Sequence, residues 1–75
     1  HGSSSPVDAL TLEEVMKAVQ KLSLTYRSVF NLYIIEGYSH KEIADILGIT
    51  ESTSRSNLVK ARQKLRELLN VDHGK

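Results

Sequence analysis

The chain has 75 residues, of which 40% are hydrophobic, 25% charged and 5% aromatic, with no cysteine and a formal net charge of +1. A chain of this length buries roughly 60% of its unfolded surface, enough for one core of three or four short elements and too little for a deep substrate cavity besides, so a large enzyme is excluded. The lack of cysteine excludes a disulfide framework and a cysteine zinc site. The longest apolar run, Leu32 to Ile35, falls far short of the roughly 20 residues of a membrane span, which points to a cytoplasmic protein with no membrane partner.

In chain order, His1-Gly2-Ser3-Ser4-Ser5-Pro6 reads as the remnant of an expression tag. The natural start is therefore expected upstream, and the domain is placed at residues 7–70. Four helical segments follow, and no stretch has the strict alternation of a strand. Thr11 with Glu14 spells a capping box ahead of Leu12, Val15, Met16, Val19 and Leu22, which predicts a helix from about Leu12 to Leu22. A second helix begins near Thr25 and carries Tyr26, Val29, Phe30, Leu32, Tyr33, Ile34 and Ile35 until Gly37 stops it. Being apolar on nearly every side, it is expected to be the central, most buried helix. Ser39 with Glu42 is a second capping box, and Ile43, Ala44, Ile46 and Leu47 lead from it to a stop at Gly48. Thr50 caps a last helix that runs to about Leu69 or Asn70, with Leu58, Ala61, Leu65, Leu68 and Leu69 as its apolar residues. The tail, residues 71–75, is expected to fray.

Charge is distributed unevenly along these elements. Residues 8–51 hold seven acids against four bases, whereas residues 52–66 hold Arg55, Lys60, Arg62, Lys64 and Arg66 with no acid. A solvated helix face is the ordinary origin of such a cluster, and a polyanion-binding helix is the alternative. The preceding residues favour the second. A short capped helix, the turn Gly48-Ile49-Thr50 and a longer helix make a helix-turn-helix. Ala44 is small where the two helices must cross, Gly48 frees the backbone to turn, and Ile49 plugs the space beneath. The predicted fold is therefore all-α, a four-helix DNA-binding domain containing a helix-turn-helix.

The residues that carry this pattern also resemble a known family. Leu24-Thr25-Tyr26-Arg27-Ser28-Val29-Phe30-Asn31-Leu32, Glu36-Gly37-Tyr38-Ser39-His40-Lys41-Glu42-Ile43-Ala44, Leu47-Gly48-Ile49-Thr50 and Lys60-Ala61-Arg62-Gln63-Lys64-Leu65 together resemble region four of bacterial sigma factors, of the extracytoplasmic-function type. The resemblance spans about residues 10–70. It implies a module that reads the minus-35 promoter element in the major groove of double-stranded DNA and docks on the flap of the RNA polymerase β subunit, with an anti-sigma factor as a further candidate partner. The family's region that melts the minus-10 element has no counterpart in this chain.

A helical wheel places the site residues without the family. At about 100° per residue, Ala61, Leu65, Leu68 and Leu69 lie within about 80° of Leu58, while Ser56, Val59, Lys60 and Gln63 lie opposite. The outward residues of the early turns are Ser52, Ser56, Val59 and Lys60, with Arg55 on the flank. Arg55, Ser56, Val59 and Lys60 are thus the candidate base contacts, Arg55 for guanine and Val59 for a thymine methyl. The matching positions contact DNA in the family. Contact with another protein is the alternative for Val59. Candidate phosphate contacts are Ser39, His40 and Lys41 at the start of the third helix, together with Ser52, Thr53, Arg62 and Arg27. Exposure without contact is the alternative for these, and pairing with Glu42 is a second alternative for Arg62.

Two positions depart from the family pattern. Ser52-Thr53-Ser54 stands where Gly-Thr-Val is usual, which puts a hydroxyl at an inward position, where it is expected to bond back to the Thr50 carbonyl. Asn57 replaces a common arginine and removes one phosphate contact. His40 and His73 are isolated and are expected at the surface, and no spacing assembles a nucleophile with its base or a metal site. No catalytic residue, metal, cofactor or small-molecule substrate is expected. Competing readings are the output DNA-binding domain of a response regulator or quorum-type activator, and a pure protein-interaction module.

Overall fold

A computed structural model describes residues 11–69. The expected tag remnant at residues 1–6 and the expected frayed tail at 71–75 lie outside the described residues. Within them the chain forms helices throughout, joined by short turns.

Helix α1 spans Leu12–Gln20. Its capping box is closed in both directions: Thr11 Oγ1 accepts the Glu14 amide at 3.1 Å, and Glu14 Oε1 accepts the Thr11 amide at 3.0 Å. The helix ends two residues earlier than the periodicity predicts. The Lys21 and Leu22 amides reach carbonyls only three residues back, a tightened last turn that still buries Leu22.

Helix α2 spans Leu24–Phe30 and is capped by Ser23, one residue before the expected start. It runs on into a π-helical turn, Asn31–Ile35, in which the Glu36 amide bonds the Asn31 carbonyl five residues back. Gly37 then ends it at φ +83°, and the Tyr38 amide closes on the Leu32 carbonyl six residues back at 2.9 Å, one residue wider than the usual glycine stop because the turn before it is π-helical. The expectation that this helix is the most buried is corrected. Val29 and Phe30 are buried and Leu32 and Tyr33 pack against the core, but Leu24 is 68% exposed and Ile35 55%. A domain this small lacks the material to surround one helix on every side.

Helix α3, His40–Leu47, starts at a second two-way capping box. It stops at Gly48, which adopts φ +71° while the Gly48 and Ile49 amides both bond the Ala44 carbonyl. Ile49 sits half-buried against the core, the plug under the turn that the sequence predicts. Helix α4, Glu51–Leu69, begins where Thr50 Oγ1 accepts the Thr53 amide at 3.0 Å. It is α4, rather than α2, that packs against α1, α2 and α3 alike. Its stripe of Ser54, Leu58, Ala61 and Leu65 meets Ala18, Val19, Val29, Phe30 and Ile43 in one core. Helices α3 and α4 form the expected helix-turn-helix, with the outer face of α4 left uncovered.

Candidate nucleic-acid interface

The outward face of α4 follows from the position of its buried stripe. Ser54, Ala61 and Leu65 share that stripe with Leu58, which centres it about 30° to one side of Leu58. The opposite face then carries Ser52, Thr53, Ser56, Val59, Lys60 and Gln63, all exposed. Arg55 and Arg62 lie on the far flank and are exposed as well. The alternative of a semi-buried Arg62 paired with Glu42 is therefore corrected. The shifted stripe turns Arg62 to solvent, and the Glu42 carboxylate is held by the Ser39 amide at 2.8 Å.

The basic cluster is less free than its acid-free interior suggests. Glu51 and Glu67 stand just outside it, and they pair with Arg55 at 3.6 Å and with Lys64 at 3.6 Å. Lys60, Arg62 and Arg66 carry no ion pair among the described residues. Pairs this exposed are worth little and break readily when a stronger anion approaches. Lys60 lines a shallow groove with Tyr26, Gln63, Lys64 and Glu67.

The hydroxyls at the start of α4 are already partly committed. Thr50 donates to Thr53 Oγ1 at 2.9 Å, which leaves the Thr53 hydroxyl hydrogen free to reach outward. Ser56 donates to the Thr53 carbonyl at 3.3 Å. It therefore presents acceptor lone pairs, whereas Lys60 presents only donors.

At the start of α3, Ser39 Oγ accepts the Glu42 amide at 3.1 Å and keeps its own hydrogen for a partner. Lys41 is exposed. The Glu42 carboxylate sits at this same helix start, so an approaching phosphate meets a fixed negative charge there as well as the helix amides. Arg27 is placed differently from the rest. Its guanidinium donates to the Gln20 carbonyl at 3.2 Å and to Gln20 Oε1 at 3.5 Å, at the end of α1.

Two expectations about the histidine and the inward serine are corrected. His40 is half-buried rather than a surface residue. Ser54 is fully buried, but its hydroxyl does not bond back to the Thr50 carbonyl. Its Oγ lies 2.8 Å from His40 Nδ1, and the imidazole stacks on Tyr33 with centroids 4.4 Å apart. Burial, foremost, and the Arg55 and Arg62 guanidinium groups lower the His40 pKa below its ordinary value, while Glu51 opposes them. Sequence reasoning missed this cluster. The signal was there: a hydroxyl on an inward face needs a partner on the facing helix, and His40 is the first residue of that helix.

Among the described residues no group of three or more His, Asp or Glu side chains could hold a metal ion. No described helix is long and apolar enough to cross a membrane.

Fold and exposed face together define an all-α domain of the helix-turn-helix class. The chain matches the family model described as sigma-70, region 4, over residues 12–65, and it belongs to that family. It is also similar to the ECF RNA polymerase sigma factor SigM of Bacillus subtilis (strain 168), at 33% identity over 67 residues covering 88% of this chain. The chain spans 41% of the length of that relative. No solved structure matches.

Proposed function

We propose that the chain is the promoter-recognition domain of an extracytoplasmic-function sigma factor, which binds the minus-35 element and thereby directs RNA polymerase to its start sites. The observation that carries the reading is the outward face of α4. The second helix of a helix-turn-helix is the one that enters the major groove, and here its early turns expose Arg55, Ser56, Val59 and Lys60 in a chain of the region 4 family. Arg55 forks onto guanine once it leaves Glu51, Ser56 accepts from an amino group, and the Val59 methyls meet a thymine. Ser39, Lys41, Ser52, Thr53 and Arg62 rim that face and supply phosphate contacts, which set register without reading sequence. His40 has only its Nε2 left to offer a phosphate, and Arg27 is the weakest candidate because its guanidinium is engaged at Gln20.

A second surface supports docking on the polymerase β flap. Leu24, Thr25, Ser28, Leu47 and Ile49 line a largely apolar groove. An apolar surface of this kind marks a protein partner, whether the flap or an anti-sigma factor. The domain acts by binding in the cytoplasm and carries out no catalysis of its own. The family match favours this reading over the output domain of a response regulator. Footprinting of polymerase with and without the sigma factor tests it: protection centred near minus 35 that Lys60→Ala weakens is expected, and protection unchanged by removing both the Arg55 and Lys60 side chains overturns it.

A further inference from the structure

A hydroxyl on a buried helix face must find a partner, and Ser54, at 0% exposure, finds one across the crossing of α3 and α4. Its Oγ lies 2.8 Å from His40 Nδ1, its side-chain partner among the described residues. A neutral imidazole offers one N–H and one bare nitrogen. A hydroxyl that donates to Nδ1 sets the ring proton on Nε2, the tautomer that satisfies the enclosed serine hydrogen. The imidazole is held on its face too, since its plane lies 14° from that of Tyr33 in the stack. The π-helical turn, the first residue of α3 and the first turn of α4 thus meet in one cluster.

We propose that His40 is a positioning residue for DNA recognition: clasped in its neutral form by Ser54 and Tyr33, it fixes the first turn of α4 against the first turn of α3. The proposal rests on the DNA-binding reading above and names the device that sets the pose of the reading helix. Ser54 directly precedes Arg55 and Ser56, and Val59 and Lys60 follow within two turns. A tilt of α4 about the His40 contact displaces all four together, and recognition requires placement to within about 0.5 Å.

Charge on the imidazole opposes the clasp. Protonation places a hydrogen on Nδ1, so the bond survives only with Ser54 as acceptor, and the enclosed hydroxyl hydrogen then loses its own acceptor. From α4, Arg55 and Arg62 disfavour the charged ring and Glu51 favours it. From the π-helical turn, Tyr33 stacks on it. On α3 itself, Lys41 is the neighbouring cation, and Glu42 is engaged with the Ser39 amide.

Two measurements test the proposal. Ring nitrogen-15 shifts of His40 in the unaltered chain, at about pH 7.5, are expected to show a bare Nδ1 and a protonated Nε2; averaged tautomers, as in a free imidazole, overturn it. Sequence preference is then read by competition, at low salt, between a duplex that the unaltered chain selects from a randomised pool and a scrambled duplex of the same composition. Ser54→Ala is expected to lower the preference roughly tenfold while affinity for the scrambled duplex holds. Ser54→Thr, which keeps the hydroxyl, is expected to retain the preference. Acidification to about pH 5.5 is expected to erode it in the unaltered chain and not in Ser54→Ala. Equal preference in the unaltered chain and Ser54→Ala overturns the proposal, as does a loss in Ser54→Thr equal to that in Ser54→Ala. Selection of no duplex by the unaltered chain overturns the DNA-binding reading itself, a result distinct from equal selection by both chains.

Discussion

Gly48 sits at φ +71° with open space where a Cβ would stand, so an alanine there meets no clash, only the left-handed backbone that L-residues avoid. Gly48→Ala is expected to cost about 1–2 kcal/mol, read as a lower thermal midpoint; an unchanged midpoint would mean that the turn relaxes. Ser54 poses the opposite balance. Valine at this position adds apolar burial of about 1 kcal/mol but leaves His40 Nδ1 half-buried without its partner, which costs about 1–3 kcal/mol. The midpoint of Ser54→Val is therefore expected to be no higher than that of the unaltered chain, and a clear rise would show that the His40 contact contributes nothing. His40 also gives stability a pH dependence. Its pKa in the fold is lowered, so the unfolded chain binds the proton more readily. The contribution is complete above the unfolded value of about 6.5 and is lost as pH falls through the folded one. Urea midpoints between about pH 7 and pH 5 should fall in the unaltered chain and fall less in His40→Gln.

At the scale of the elements, the caps decide where helices begin. Ser39→Ala removes the acceptor of the Glu42 amide and should destabilise the domain by about 1 kcal/mol, measured by denaturant titration. Both capping boxes and the glycine stops were legible in the sequence because local chemistry at a few residues sets them. Helix α4 and its exposed face were legible too, since periodicity survives over its 19 residues. The π-helical turn was not, because Asn31-Leu32-Tyr33-Ile34-Ile35 carries no pattern that separates five-residue from four-residue bonding. The burial of α2 was overestimated because the apolar character of Ile34 and Ile35 was taken as a sign of core, when these side chains are exposed. The alternative that paired Arg62 with Glu42 failed because the buried stripe is shared by Ser54, Ala61 and Leu65 with Leu58, which turns Arg62 to solvent. The His40–Ser54 contact depends on how α3 crosses α4, and no local rule gives that crossing.

For the whole molecule, the net charge of +1 limits what the domain does alone. The acidic first half opposes the basic helix, so promoter DNA should bind weakly to the isolated chain, with a salt slope worth about four or five phosphates; tight binding insensitive to salt would contradict this. The central claim is that α4 reads sequence rather than serving as a basic surface. On this proposal Arg55 and Lys60 lie in the turns that would enter the groove, while Lys64 and Arg66 lie where a straight helix would have left the curved duplex, yet all four carry the same charge. A base contact is worth about 1–3 kcal/mol of discrimination, whereas a distant charge weakens binding to all sequences alike. The most direct test is competition between cognate and scrambled promoter DNA for Arg55→Ala, Lys60→Ala, Lys64→Ala and Arg66→Ala, in the complete sigma factor bound to polymerase. Arg55→Ala and Lys60→Ala are expected to lose preference for the cognate duplex while the other two keep it; equal loss of affinity by all four for both duplexes would contradict the account.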